Sequence, residues 1–160
     1  MSRPLVAAVA LALLAACEPE PAAQRPEPAP AAPRAASGLD LIQLTVRSGA
    51  RSHAFTVEVA RTEAQQAQGL MNRRGLGANQ GMLFPFDPPR PASFWMRNTL
   101  IPLDMIFIRP DGTIARIATA TPLSEEHVAV EEPVTAVLEI PGGRAAQLGI
   151  TAADSVTWTD

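Results

Sequence analysis

The chain of 160 residues contains no lysine, no tyrosine and a single cysteine, Cys17. One cysteine excludes a disulfide within the chain, so the thiol needs another explanation. The unbroken apolar run at residues 5–16 would form a helix of about 18 Å, well short of the hydrocarbon core of about 30 Å, which argues against a permanent transmembrane helix. Phosphate-cradling glycine loops, zinc-ligand spacings and nucleic-acid-binding motifs are absent. We therefore expect no cofactor and no nucleic-acid partner.

The start of the chain has the layout of a secretory signal, because Arg3 is the only charge before the apolar run. The run ends in Leu14-Ala15-Ala16-Cys17, which resembles the lipobox of bacterial lipoproteins. In that class the cysteine thiol receives a diacylglyceryl group and the chain is cut just before it. We therefore expect a signal peptide at residues 1–16 and a membrane anchor through lipid on Cys17. The alternative is an ordinary secretory signal: Leu14 is too bulky for a small-x-small site cut after Ala16, although a cut after Cys17 would fit such a site.

A segment rich in proline and alanine follows at residues 18–38. It carries no large apolar residue, so it cannot bury enough surface to offset its ordering entropy. Repeated proline favours an extended polyproline II conformation. We interpret residues 17–38 as a lipidated cysteine and a tether, which would hold a domain in the periplasm or outside the cell at a distance from the bilayer.

The remaining residues, 39–160, have the length of one globular domain. Ten arginines against 13 acidic residues give this part a net charge of −3. A weakly acidic surface of this kind gives no electrostatic footprint for nucleic acid.

Alternation of apolar and polar residues predicts a β-rich domain. Thr62 and Gln65 form a capping box before Gly69, which predicts a short helix at residues 63–68, and a second is predicted at Arg144–Leu148. Seven or eight short strands with two small helices predict a β-rich α+β fold, a compact curled sheet or barrel. The predicted strands lie at residues 39–46, 55–59, 81–86, 92–96, 105–108, 113–120, 134–140 and 155–158.

Several motifs in the domain resemble a widespread bacterial and archaeal family, known as domain of unknown function 192. The resemblance implies a compact β-rich fold that is often exported, and it implies no established activity. Near its end the family usually has Gly-Asp, where this chain has Ala153-Asp154. The motifs that carry the resemblance are Gly69-Leu70-Met71-Asn72-Arg73, Gly81-Met82-Leu83-Phe84-Pro85-Phe86, Phe94-Trp95-Met96-Arg97-Asn98-Thr99-Leu100-Ile101-Pro102-Leu103-Asp104, Val137-Leu138-Glu139-Ile140-Pro141-Gly142-Gly143 and Leu148-Gly149-Ile150.

The first candidate site combines polar residues with an apolar wall: Arg73, Trp95, Met96, Asn98 and Asp104. They could line a shallow pocket for a small ligand, a glycan or an envelope peptide. The structural alternative is that Asn98 organises a turn and Asp104 serves as a salt-bridge or capping partner, for instance of Arg73. On this basis we expect a non-enzymatic, lipid-anchored binding or scaffold module of the cell envelope.

A copper site is a second candidate, because the thioethers of Met71, Met82 and Met96 together with His127 suit Cu(I). Methionine is also an ordinary core filler, and no Met-x-x-Met or His-x-His spacing supports a metal.

An envelope enzyme is the third candidate. Ser93, Asp104, Glu125, Glu126 and His127 have the side chains that acid–base or serine chemistry needs. There is no Gly-x-Ser-x-Gly motif, and the two glutamates fall in a polar loop where a solvated turn is the simpler account. We therefore expect no catalytic residue and no metal ligand.

Overall fold

The computed structural model describes residues 35–159. The predicted signal peptide, Cys17 and nearly all of the predicted tether lie outside the described residues. Within residues 35–159, no helix is long and apolar enough to cross a membrane. The elements, in chain order, are β1 (Leu41–Ser48), β2 (Arg51–Val59), α1 (Glu63–Gln68), β3 (Gln80–Phe94), β4 (Leu103–Ile108), β5 (Ile114–Ala120), β6 (Val128–Pro141), α2 (Arg144–Leu148) and β7 (Ser155–Trp158).

The strands form one curled sheet in the order β5-β4-β6-β3-β2-β1-β7. All neighbours are antiparallel except β2 and β3, which are parallel and connected through α1. The two ends of the sheet meet where Thr113 pairs with Ser155. Two backbone hydrogen bonds hold this junction, from Ile114 N to the Asp154 carbonyl at 2.9 Å and from Val156 N to the Gly112 carbonyl at 2.8 Å. The predicted curled, β-rich fold with two short helices is thus confirmed.

Each face of the sheet carries its own apolar cluster. The inner core collects residues from all seven strands and is covered by α2, whose Ala145 packs into it. The outer core lies on the opposite face of β3, β4 and β6 and is covered by the loops that follow α1 and β3. Side chains alternate along a strand, so neighbouring residues such as Asp104 and Met105 on β4 lie on opposite faces of the sheet. The principal outer-core residues are Leu70, Met82, Phe84, Met96, Met105 and Phe107.

The predicted strands at 81–86 and 92–96 form one strand, β3, so this division was wrong. The prolines between them indicate a break in the sequence, but β6 pairs with both halves from Met82 to Phe94. Register shifts between Pro85 and Arg90 and between Arg90 and Ala92 absorb the prolines. β6 itself begins at Val128, earlier than the predicted residue 134, because it pairs with this added half of β3.

Both predicted helices are confirmed with their bounds. The capping box of α1 is complete, since Thr62 Oγ1 accepts from Gln65 N at 3.2 Å and Gln65 Oε1 accepts from Thr62 N at 2.9 Å. Gly69 ends α1 with a φ of +45°, a conformation that a residue with a side chain rarely adopts. This turn directs the following residues onto the outer face of the sheet.

Candidate functional site

A cavity of about 250 Å³ lies on the outer face, between the end of α1 and the second half of β3. Gln66 fixes α1 against the sheet, because its Nε2 donates to the carbonyls of Ala60 at 3.1 Å and Pro85 at 3.0 Å. Six of the lining residues are buried and therefore mark the inner end of the cavity. These are Leu70, Phe84, Phe86, Ala92, Thr99 and Glu139.

Glu139 is the one ionisable group among these buried lining residues. It lies on the central strand β6, directly between Met82 of β3 and Met105 of β4. The residue is only 5% exposed, and its carboxyl group has no hydrogen-bond partner among residues 35–159. Burial without a compensating partner raises the pKa of Glu139 from 4.5 to about 8. At neutral pH this side chain is therefore mostly an uncharged acid that borders the cavity.

Phe84, Phe86 and Phe94 contribute aromatic rings to the lining of the cavity. The rings of Phe84 and Phe94 meet edge to face at 5.1 Å, and Phe94 meets Phe107 in the same way at 6.3 Å. The guanidinium of Arg90 lies 4.2 Å from the centre of the Phe86 ring, a cation–π contact. Arg90 is exposed, so its charge lies at the opening of the cavity, whereas Glu139 lies at the inner end.

Three loops join beside the cavity, and each contains a non-glycine residue in the left-handed region: Asn72, Asn98 and Leu123, with φ near +60°. Backbone hydrogen bonds connect the loops, from Asn72 N to the Asn98 carbonyl at 2.9 Å and from Leu123 N to the Thr99 carbonyl at 3.0 Å. Such conformations are unfavourable outside glycine, most of all for a large residue such as leucine. The surrounding contacts hold this strained segment next to the cavity.

Trp95 and His127 lie at the outer end of the same cavity. Trp95 lines it and is 40% exposed, and its ring lies 5.5 Å from the imidazole of His127. His127 Nδ1 is 2.9 Å from Ser93 Oγ. The guanidinium of Arg97 lies 5.4 Å from the Trp95 ring. The opening of the cavity is therefore bordered by aromatic and basic groups.

Comparison with known proteins places the chain in a family. The model of domain of unknown function 192, described as "Uncharacterized ACR", matches residues 44–158. The chain belongs to this family. The match begins within β1 and ends at the last residue of β7. It therefore includes every residue that lines the cavity. No functionally curated protein matches the chain.

Two crystal structures are similar to this member of domain of unknown function 192. A protein of unknown function from Novosphingobium aromaticivorans is 47% identical over 81% of this chain and 94% of its own, with a TM-score of 0.77. A "putative transcription regulator" from Sinorhizobium meliloti is 40% identical over 75% of this chain and 95% of its own, with a TM-score of 0.73. Both matches show the shared fold, and the role of transcription regulator is attributed to the second protein alone.

The five residues predicted to form one ligand-binding site lie at separate places in the structure. Arg73 does not pair with Asp104, so that predicted partnership was wrong. Arg73 donates from Nη2 to Glu58 Oε2 at 2.7 Å, and Ser37 Oγ donates to the same oxygen at 2.5 Å. Arg73 lines a neighbouring apolar cavity of about 400 Å³ together with Leu39. Its charge is therefore already matched by a carboxylate.

Asp104 faces the inner core, on the side of the sheet away from the cavity. Its Oδ1 accepts from Thr119 Oγ1 at 2.6 Å and from Gly143 N at 2.9 Å. Its Oδ2 accepts from Ala145 N at 2.8 Å. Asp104 thus accepts from N–H groups at the start of α2. It is a capping partner, as the structural alternative predicted, but it caps α2 and does not pair with Arg73.

Of the other residues in the predicted ligand-binding set, Trp95 alone lines the cavity with Glu139, and the cavity is also lined by Met71 and Ser93 of the copper and enzyme hypotheses. Met96 is buried in the outer core, and its N–H donates to the Ser124 carbonyl at 2.9 Å. Asn98 is exposed in its left-handed turn, with its Nδ2 4.0 Å from the sulfur of Met71. The turn role predicted for Asn98 agrees with this geometry.

The residues of the copper and enzyme hypotheses are only partly brought together. Met82 and Met96 share the outer core, whereas His127 is exposed against Trp95. Among residues 35–159 there is no group of three His, Cys, Asp or Glu side chains able to hold a metal ion. Ser93 and His127 are in contact, but Asp104 lies on the other face of the sheet. Glu125 and Glu126 are exposed in the loop before β6.

Glu139 was not among the predicted site residues, although a feature of the sequence around it indicates a special role. Glu139 is the only charged residue in the run from Val134 to Ile140, and both faces of that strand are buried. On a central strand, a charged residue without a partner is rare enough to be informative.

Proposed function

We propose that this protein is a lipid-anchored binding module of the cell envelope, and that its domain takes a small organic ligand into the cavity beside Glu139. One observation carries the proposal: the carboxyl group of Glu139 is buried, has no partner among the described residues, and borders a cavity. Removing a carboxyl group from bulk water is unfavourable when no protein group compensates it, and desolvation is the cause of the raised pKa of Glu139. A methionine, like its two neighbours across the sheet, would fill the same position without that penalty. The acid is therefore best explained by a ligand that completes its hydrogen bonding.

The size of the cavity favours a small molecule over a glycan or a peptide segment. A volume of about 250 Å³ lies just below the roughly 300–1,000 Å³ that is usual for small-molecule pockets. Four aromatic residues, Phe84, Phe86, Phe94 and Trp95, supply the apolar wall that ligand sites commonly have. Thr99 and Glu139 are the buried polar residues that can fix the orientation of the ligand.

An envelope hydrolase is the second candidate, favoured by the contact between Ser93 and His127. A catalytic serine needs a base that is itself oriented by a third group. Within residues 35–159, His127 has only its contacts to Ser93 and Trp95, and both members of the pair are exposed. We therefore place binding before catalysis.

Ligand binding at the cavity is tested by a fragment screen on the full chain in mild detergent. Compounds of up to about twelve non-hydrogen atoms should include some that raise the melting temperature of the wild type, because ligands of the native state stabilise it by mass action. The variant Glu139→Met should lose these responses, and Glu131→Met, which changes an exposed glutamate on the same strand, should keep them. Hits that act equally on the wild type and on Glu139→Met would show that the cavity is not the binding site.

The lipid anchor is tested by replacing the thiol that would carry it. Cys17→Ser should abolish acylation and block cleavage before residue 17, because a hydroxyl is far less nucleophilic than a thiol. Cells grown with a clickable fatty acid should label the wild type and leave the variant unlabelled. Because cleavage before residue 17 is blocked, the variant should also retain its leader and run at a higher molecular mass than the wild type. Label on the Cys17→Ser protein would show that another residue is the anchor.

A further inference from the structure

Within residues 35–159, the large apolar residues that remain exposed all lie in two neighbouring loops. They are Trp95 at 40%, Leu100 at 45% and Leu123 at 59% exposure. Single exposed apolar residues are ordinary on a protein surface, whereas a group of them in one place marks a contact surface. We call residues 95–101 and 121–127 the apolar loops.

Backbone hydrogen bonds hold the apolar loops side by side. Met96 N donates to the Ser124 carbonyl at 2.9 Å, and Leu123 N donates to the Thr99 carbonyl at 3.0 Å. Each exposed apolar residue takes part in one of these bonds or is the chain neighbour of a residue that does. The three residues therefore belong to one region of the surface, beside the opening of the cavity.

Leu123 has a backbone conformation that does not suit its side chain. Its φ of +63° lies in the left-handed region, which favours glycine and asparagine over leucine. Because 59% of the residue is exposed, packing within the fold does little to offset this cost. The leucine is best explained by a contact made outside the fold.

The predicted tether joins the domain beside the same loops. Ser37, near the end of the tether, donates from Oγ to Glu58 Oε2, which also accepts from Arg73 Nη2 at 2.7 Å. The residue before this arginine, Asn72, donates its N–H to the Asn98 carbonyl at 2.9 Å, within the apolar loops. A lipid anchor at the start of the tether would therefore be connected to the side of the domain that carries these loops.

We propose that the apolar loops contact the bilayer that carries the lipid anchor, with Trp95, Leu100 and Leu123 at the boundary between headgroups and acyl chains. This inference rests on the lipid anchor of the proposed function and names the surface that the anchored domain contacts. Tryptophan is typical of this boundary, because its ring is apolar and its N–H is polar. A tether of residues 18–38 extends at most about 65 Å, so it keeps the bilayer at a high effective concentration, and a contact made by three side chains is enough.

The charges around the apolar loops indicate that the contact depends on apolar burial. Two exposed arginines, Arg74 and Arg97, are balanced by two exposed acids, Glu125 and Glu126. The charge of Arg73 is matched by Glu58. An anionic bilayer would therefore gain little electrostatic attraction, and zwitterionic phosphatidylcholine should support the contact as well.

The contact is tested by quenching of Trp95 fluorescence in vesicles. The protein has two tryptophans, so Trp158→Phe leaves Trp95 as the only one. This protein is isolated from cell membranes and reconstituted in phosphatidylcholine vesicles, with or without bromine on the acyl chains. Because bromine quenches only at close range, the brominated lipid should lower Trp95 emission about twofold. Addition of anionic lipid should leave this ratio unchanged.

Variants of the two leucines separate contact with the bilayer from a role in the fold. Leu100→Ser and Leu123→Asn should each weaken the contact about tenfold, and together they should restore most of the emission in brominated lipid. Leu123→Asn should leave the melting temperature unchanged or raise it, because asparagine suits the left-handed conformation. Ala146→Ser, at an exposed position of α2 on the other face of the sheet, is the control and should be quenched like the parent protein.

Flotation of the same vesicles distinguishes failure of this inference from failure of the anchor. Protein that floats with the vesicles but shows no bromine quenching would overturn the bilayer contact and leave the anchor standing. Protein that does not float would overturn both. Trp95 emission that changes with the protein-to-lipid ratio and ignores bromine would show that the loops contact a second copy of the chain. A lower melting temperature for Leu123→Asn would show that Leu123 supports the fold, which contradicts the role proposed for it.

Discussion

Replacing Glu139 with methionine is expected to stabilise the domain, by an amount that grows with pH. The folded state holds the proton of Glu139 up to about pH 8, whereas the unfolded chain releases it near pH 4.5. Between these values the folded state binds more protons than the unfolded state, so the stability of the wild type falls as pH rises and then levels off. At about 1.4 kcal/mol per pKa unit, the difference between the variant and the wild type should grow by up to about 5 kcal/mol from pH 4 to pH 9.

Urea denaturation of the full chain at pH 5, 7 and 9 measures this effect. Glu139→Met should show a smaller decrease in the free energy of unfolding with pH than the wild type. Glu131→Met, at an exposed position of the same strand, should follow the wild type. Parallel pH profiles for the wild type and Glu139→Met would mean that Glu139 is solvated or paired in the folded protein, and the site would lose its central feature.

Replacing Asp104 with alanine is expected to have the opposite effect, a loss of about 3–5 kcal/mol of stability. Asp104 is 1% exposed and accepts three hydrogen bonds, from Thr119, Gly143 and Ala145. Its removal leaves two backbone donors at the start of α2 and one hydroxyl without a partner inside the protein. Because these groups lie on the inner face, ligand binding at the outer cavity should remain in the fraction that still folds.

Thermal melting and urea denaturation of Asp104→Ala and Asp104→Asn check this account. The asparagine side chain keeps one carbonyl oxygen as an acceptor, so its loss of stability should lie between those of the wild type and Asp104→Ala. A cavity-specific loss of ligand binding in a well-folded Asp104→Ala protein would contradict the placement of Asp104 as a structural residue.

The sequence predicted those elements whose signals are local. The capping box of Thr62 and Gln65 defines α1, and the turn glycines Gly69 and Gly149 end the two helices. The continuation of β3 through its prolines, as one strand in place of the two predicted, could not be predicted from local signals. It depends on pairing with β6, which is more than 30 residues away along the chain, and pattern reasoning assigns proline runs to breaks.

The site was harder to predict than the fold, because face and partnership depend on register. Asp104 and Met105 are neighbours in sequence but belong to opposite faces, and a shift of one residue would exchange them. Arg73 could have paired with any acid, and only the fold shows that Glu58 lies next to it. Glu139 lies within a family motif, but only the assembled sheet shows that no side chain pairs with it.

Carbon-13 NMR titration measures whether Glu139 is an unpaired acid beside a ligand cavity. The full chain, labelled at glutamate side-chain carboxyl carbons and held in mild detergent, is titrated from pH 3 to pH 10, with Glu139→Gln used to assign the signal. The Glu139 carboxyl is expected to titrate near pH 8. A bound ligand from the cavity screen should shift this signal and not that of Glu131. A midpoint below about pH 5, as for an exposed glutamate, would contradict the account.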